Sequence, residues 1–270
     1  MKKFKKKIGK KITKSFAGKE RLQSFFEVLH DFSLAGMNFG GGDSVQNSGE
    51  KNVIKYLAKH LTGKTEPVIF DVGANVGTYA LEVISVFRDR AHLYCFEPLR
   101  EAFNALREAT DGCGNVKIYN FGFGDKEENI TLYSDSPTSV LASAYKRNMD
   151  HLGVDMAHRE PAQIKRLDDF CNKNQITHID LLKLDVEGGE LGVLKGAASL
   201  IESDAIDIIQ FEFGAYNIAS RTFFQDFFYL LNSRYRIYRV LKDGFVPVDK
   251  YKETYEIFVT TNYMAVSRKV

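Results

Sequence analysis

A chain of 270 residues that is 44% hydrophobic has the apolar material for a full core, and ordinary domain sizes accommodate it as one large domain with an added segment. Its three cysteines, Cys95, Cys113 and Cys171, are widely spaced and form no Cys-x-x-Cys pair, which argues against a disulfide framework or a zinc site and makes a reducing, cytoplasmic setting the default expectation. The net charge of +2 conceals an asymmetry: the first twenty residues hold nine lysines and one glutamate, leaving the rest of the chain six charges negative, so no nucleic-acid partner is expected.

Residues 1–16 place Phe4, Ile8, Ile12 and Phe16 four apart among lysines, the pattern of a basic amphipathic helix. Two readings stand, a solvated tail or a peripheral contact with an anionic membrane. No apolar run is long enough to cross a bilayer. Leu22, Phe25, Phe26, Leu29 and Phe32 continue a helical apolar stripe that ends before Gly36 and the run Gly40-Gly41-Gly42. We read residues 1–48 as an extension and 49–270 as the main domain. A helix is predicted over 50–61, with Val53, Ile54, Leu57 and Leu61 on one face and Ser48 near its start. From Pro67 short apolar strands alternate with amphipathic helices at 68–72, 79–87, 92–96, 101–109 and 116–121, a βαβαβ order that implies a parallel sheet. Residues 129–133 read as an added strand, 134–161 as a long polar loop and 163–174 as a helical return. Strands at 179–184 and 205–213 flank a helix at 190–201, and a helix at 223–232 with strands at 235–241 and 263–267 completes the sheet.

The run Asp71-Val72-Gly73-Ala74-Asn75-Val76-Gly77 follows the strand Val68-Ile69-Phe70 and opens a helix at Thr78. Glycine suits a backbone that turns sharply and approaches a ligand without a Cβ in the way, although a glycine also lets helix and strand pack closely. Glu97 ends the next strand, twenty residues beyond Gly77, where a carboxylate can accept both ribose hydroxyl protons of a nucleoside. The pyrophosphate pattern Gly-x-Gly-x-x-Gly is missing, since positions 73, 75 and 78 are Gly, Asn and Thr. A nucleoside without a diphosphate, S-adenosylmethionine, is therefore preferred over NAD.

The runs Val68 to Tyr79, Phe96-Glu97-Pro98, Arg166-Leu167-Asp168-Asp169-Phe170 and Leu182 to Leu191 together resemble the FkbM family of methyltransferases, in order from roughly Gly49 to the C-terminus. The resemblance implies an α/β, Rossmann-like class I methyltransferase fold, with a mostly parallel seven-stranded sheet, helices on both faces and an antiparallel last strand. It also implies O-methylation of hydroxyls, often on sugars or natural products. It carries Asp71, Gly73, Asn75, Gly77 and Glu97 over as cofactor residues, with Ala74 inside the same turn, and places Asn120 and Phe121 near the adenine. Residues 1–48 fall outside it.

The block Lys183-x-Asp185-x-Glu187-Gly188-Gly189-Glu190 closes the fourth predicted parallel strand at the edge where such sheets bind ligand, and Glu212 ends the strand that follows. Asp185, Glu187 and Glu212 are expected to converge. Methyl transfer to an alcohol needs its proton removed as the new bond forms, and Glu187 is the first choice for the base, with Asp185 and Lys183 as its catalytic neighbours. The three carboxylates could instead hold Mg²⁺, or Asp185 could fix the methionine end of the cofactor while Glu187 or Glu190 caps the next helix. His151 and His158, in the polar loop, are rival bases or ordinary loop histidines. Asp168 and Asp169 read as a helix-start pair. The function expected is O-methylation of a carbohydrate or other small-molecule acceptor. The alternatives are a cofactor-binding or membrane-docking module without chemistry, and, less favoured by the negative body, an RNA methyltransferase.

Overall fold

The computed structural model describes residues 16–41 and 45–270, so the lysine-rich pattern of residues 1–16 lies outside the described residues apart from Phe16. In chain order the elements are α1 (Gln23–Gly36), α2 (Glu50–His60), β1 (Val68–Val72), α3 (Thr78–Phe87), β2 (His92–Phe96), α4 (Arg100–Ala109), β3 (Val116–Tyr119), β4 (Gly122–Phe123) and β5 (Glu128–Ser134). There follow β6 (His158–Lys165), α5 (Leu167–Lys173), β7 (Ile179–Leu184), α6 (Glu190–Gly196), α7 (Ala198–Glu202), β8 (Ile206–Phe213), α8 (Tyr216–Ser220), α9 (Phe224–Leu231), β9 (Tyr235–Val240), β10 (Phe245–Pro247) and β11 (Thr261–Ser267).

The main sheet has the order β10-β9-β11-β8-β7-β1-β2-β3. Strands β3, β2, β1, β7 and β8 are mutually parallel, and β11 runs antiparallel between β8 and β9. The seven expected strands and the antiparallel last strand are thus present, and a three-residue strand, β10, adds an eighth at the edge of β9. β7 is buried at every position because both faces of the sheet are covered, the condition under which a strand reads as a continuous apolar run. Strand alternation sends Ile69, Leu93, Leu181 and Ile208 to the face packed by α2 and α3, through Val53, Leu57, Ala80 and Val83. Phe70, Phe96, Leu182 and Phe211 go to the opposite face and meet Phe170, Leu194 and Phe227 of α5, α6 and α9.

Two expectations are corrected in the middle of the chain. The segment 134–161 is not loop to its end, since β6 begins at His158 and pairs antiparallel with β5 from Ser134↔His158 to Glu128↔Ile164. The helical return begins at Leu167 rather than at 163. With β4, these strands form a second sheet in the order β4-β6-β5. Asp168 does more than start its own helix: its carboxylate accepts the N–H groups of Ser199 and Leu200, the orphan donors at the start of α7.

Helix α1 is present where the stripe predicted it, but Leu34 is its buried residue. Its C-terminal end is fastened to the body. Gly40 N–H donates to the Thr260 carbonyl at 2.8 Å, Thr261 Oγ1 donates to the Asn38 carbonyl at 3.0 Å, and the Arg239 guanidinium lies 4.7 Å above the Phe39 ring.

Candidate active site

The loops after β1, β2, β3 and β7 leave the same carboxyl edge of the parallel strands, and between them lies a cavity of about 220 Å³. Its floor is Val72, Gly73, Asn75, Glu97, Asp185 and Glu187, and its roof is the second sheet and the segment after β5, through Ile130, Leu132, Ile164, Ser139, Val140 and Tyr145. Gly73 explains how the floor closes. Its φ is +83°, and a Cβ there would lie 2.8 Å from the Asp185 carbonyl carbon and nearer still to its oxygen, so the β1 and β7 loops touch through bare backbone.

Glu97 is nearly buried, with Oε2 accepting the Asn75 N–H at 2.9 Å and Oε1 accepting the Leu99 N–H at 2.8 Å. Burial raises it to about 7 against the pull of those two N–H groups. A carboxylate offers about four lone-pair sites, so each oxygen keeps one for a further donor in the cavity. Asn75 has a φ of +46°, and its Nδ2 donates to the Ser139 carbonyl at 3.0 Å, tying the roof to the turn. Asp185 lines the cavity with a partly exposed side chain, and its Oδ2 accepts from Lys183 Nζ at 3.2 Å.

Glu187 also lines the cavity, in the left-handed region at a φ of +50°. Two non-glycine residues held in that region within one cavity are the kind of backbone strain that accompanies function. Arg147 pairs with its carboxylate, and Ser143 Oγ donates to its carbonyl at 2.6 Å. Burial first and Asp185 second lift Glu187 to about 8, with Arg147 pulling the other way. The Arg147 guanidinium in turn lies 6.0 Å from the centre of the Tyr216 ring.

Beneath the floor, Lys183 is buried and touches Asp71 at 3.3 Å and Asp185 at 3.2 Å, with its ammonium 4.9 Å above the Tyr79 ring. Burial opposes its charge, but Asp71, Asp185 and Glu50 together hold it well above the usual lysine range. A cation so held positions Asp185 and is unsuited to taking protons. The network continues sideways: Tyr79 donates to Gln210 at 3.2 Å, and Gln210 donates to Glu50 at 3.1 Å and to Asn262 at 3.2 Å.

A family model described as the methyltransferase FkbM domain matches residues 71–239. The chain belongs to this family. Among curated relatives, a 2-O-methyltransferase, NoeI, of Sinorhizobium fredii is 29% identical over 145 residues, covering 50% of this chain and 59% of the relative. A hexuronic acid methyltransferase, AglP, of Haloferax volcanii is 26% identical over 169 residues, 62% of this chain and 64% of the relative. The match thus spans less than two thirds of each relative's length. Among solved structures, a SAM-dependent O-methyltransferase from Thermotoga maritima aligns with a TM-score of 0.40 and 12% identity over 80% of this chain and 64% of that one, a likeness too loose to speak to chemistry.

Within this FkbM chain the anticipated site residues divide. Gly73, Asn75, Glu97, Asp185 and Glu187 meet at the cavity, whereas Asp71, Ala74, Gly77, Asn120, Phe121, Lys183 and Glu212 do not line it. Asp71 acts through Lys183, the Ala74 N–H is spent on the Phe96 carbonyl, and Gly77 gives α3 its close approach to Leu106 of α4. Asn120 Nδ2 braces the turn after β2 by donating to the Glu97 and Pro98 carbonyls at 2.9 and 3.0 Å. Phe121 packs among Phe96, Phe123 and Phe170 in the core. Glu212 is committed elsewhere, accepting from Tyr216 Oη at 3.1 Å and Asn262 Nδ2 at 2.7 Å.

The Mg²⁺ reading loses its third ligand, because both Glu212 oxygens are engaged by Tyr216 and Asn262 and Glu212 does not line the cavity with Asp185 and Glu187. Among the described residues the group with converging ligand atoms is His178, Asp180 and Asp207, at the amino edge of β7 and β8, where Lys64 Nζ already sits 2.6 Å from Asp180. The rival bases also move away. His151 lies on an exposed turn, His158 sits on β6 beside Glu160 at 3.7 Å, and neither lines the cavity. Glu190, not Glu187, is the carboxylate at the start of α6, accepting the Val186 and Gly188 N–H groups. Sequence reasoning missed Arg147, which no spacing marks, and Gly122 to Asp125, whose place just after the third parallel strand was the available signal.

Proposed function

We propose that the protein is an S-adenosylmethionine-dependent O-methyltransferase acting on a hydroxyl of a carbohydrate or a similar small polyhydroxy acceptor. The observation that carries the reading is one cavity with the buried Glu97 carboxylate on one side and Asp185 and Glu187 on the other. Glu97 has open lone pairs for ribose hydroxyls, and Asp185 has an oxygen free of Lys183 for the amino group of the methionine part. The cofactor, when bound, supplies an electrophilic methyl group. Glu187 accepts the acceptor's hydroxyl proton at its carboxylate, and Arg147 and Ser143 hold that residue in place. The roof of β5, β6 and the segment after β5 covers the floor. Relatives named for methylating a 2-hydroxyl and a hexuronic acid support a sugar acceptor.

The test is incubation with methyl-labelled S-adenosylmethionine and a panel of neutral sugars, uronic acids and oligosaccharides, followed by hydrolysis and identification of labelled O-methyl sugars. Label in a sugar ether is expected. Cofactor turnover only with RNA or protein, or cofactor binding with no transfer to any hydroxyl compound, overturns the reading.

A further inference from the structure

Helix α1 carries large apolar side chains that stand exposed among the described residues. Phe25, Val28, Leu29 and Phe32 are 62%, 69%, 45% and 74% exposed, although each would be buried in an ordinary amphipathic surface helix. At roughly 100° per residue these four share one side of the helix, and Leu34, the residue buried against the body, lies about 180° from Phe25. Glu27 and His30 lie with Leu34 on that far side, and Asp31 lies at the margin of the stripe. The apolar stripe therefore points away from the described body, from a helix fastened at its C-terminal end.

The charge next to the stripe in the chain identifies what covers it. Residues 1–20 hold nine lysines against one glutamate, while the remainder of the chain is net negative. A second copy of so lopsided a molecule would bring like charge to like at this end. An interface rich in anionic headgroups over hydrocarbon matches both features at once. We propose that α1 is a membrane-surface docking helix that lays Phe25, Val28, Leu29 and Phe32 into the headgroup boundary of an anionic lipid leaflet, with the lysines of residues 1–16 engaging the headgroups. No helix among the described residues is long and apolar enough to cross a membrane. The helix joins the body at Thr260 and Thr261, the start of β11, beside Phe213 at the carboxyl end of β8. Docking would thus bring the cavity's edge of the sheet towards the lipid surface.

The experiment is sedimentation of the full chain with phosphatidylcholine vesicles containing roughly one third phosphatidylglycerol, beside pure phosphatidylcholine vesicles. Binding to the anionic vesicles alone, weakening with salt, is expected. The paired variant Phe25→Ser and Phe32→Ser alters only exposed positions and should lose at least about tenfold in vesicle affinity with an unchanged circular dichroism spectrum. Replacing the eight lysines of residues 1–16 with glutamine should remove the salt-sensitive part. The proposal is overturned if the parent does not bind, if the phenylalanine variant binds as tightly as the parent, or if the stripe instead holds a dimer that the same variant dissociates.

Discussion

Gly73→Ala tests whether the bare contact between the β1 and β7 loops is what closes the cavity floor. The new Cβ would stand 2.8 Å from the Asp185 carbonyl carbon, where ordinary contact begins at 3.4 Å, and its oxygen is closer still. The obstacle is backbone, held by the Asp185 N–H to Val72 carbonyl bond at 3.0 Å, so it cannot swing aside as a side-chain tip would. Overpacking of this kind costs about 1–3 kcal/mol, and an alanine in the left-handed region adds roughly 1–2 kcal/mol, giving a loss of about 2–5 kcal/mol. Gly77→Ala is the control. Its φ of +92° brings the same backbone strain, but its Cβ would meet a side-chain methyl, Leu106 Cδ1, at 3.0 Å rather than backbone. The loss there should stay near about 1–2 kcal/mol. Urea unfolding measures both, and calorimetry with S-adenosylmethionine should show weaker binding by Gly73→Ala, whose displaced loops carry Asn75 on one side and Asp185 and Glu187 on the other. A Gly73→Ala stability within about 1 kcal/mol of the parent, or a larger loss for Gly77→Ala, refutes the reasoning.

Glu97→Gln keeps shape and removes charge, and should weaken S-adenosylmethionine and S-adenosylhomocysteine by about 1.5–3 kcal/mol in calorimetry; unchanged affinity in the folded variant would sink the ribose assignment. Glu187→Gln should cut turnover by about 10²–10⁴-fold with cofactor affinity nearly constant, whereas near-normal turnover would remove Glu187 as the base. Because Glu187 must be ionised to accept a proton and sits at about 8, the parent's rate should rise with pH through that value, and a flat profile between pH 6 and 9 would count against it. Glu97, Glu187 and Glu190 have folded values of about 7, 8 and 7, above their ordinary 4.5, so their stabilising contribution is complete below 4.5 and is lost as pH rises through 7 to 8. The melting temperature should fall between pH 5 and 8 and then level, and a rise over that interval would contradict the sign.

The main sheet was legible because its central strands are short apolar runs and their connections carry helical periodicity. The second sheet was not. The inward positions of β6 are His158, Glu160, Ala162 and Ile164, only two of them apolar, so its alternation carries little hydrophobic signal, and Pro161 argues against a strand. Pro161 is tolerated because β4 pairs only with Ile164 and Lys165, leaving the first part of β6 with a neighbour on one side. The site was legible at strand ends, where Gly73, Glu97 and Asp185 are fixed by the sheet. It was obscure where residues meet across the fold, as with Arg147 and Glu187, forty positions apart. For α1 the periodicity predicted a helix, but an apolar stripe does not tell whether protein or something else covers it.

The two outermost strands of the main sheet are β3, four residues long with an exposed lysine at 117, and β10, three residues long and ending in Pro247. A neighbouring chain seeking to extend this sheet would find only a few unpaired carbonyl and amide groups on either margin, one interrupted by a residue without an N–H and the other guarded by charge. The protein can therefore carry an eight-stranded, strongly apolar sheet at high local concentration without offering that sheet as a template for strand-by-strand growth.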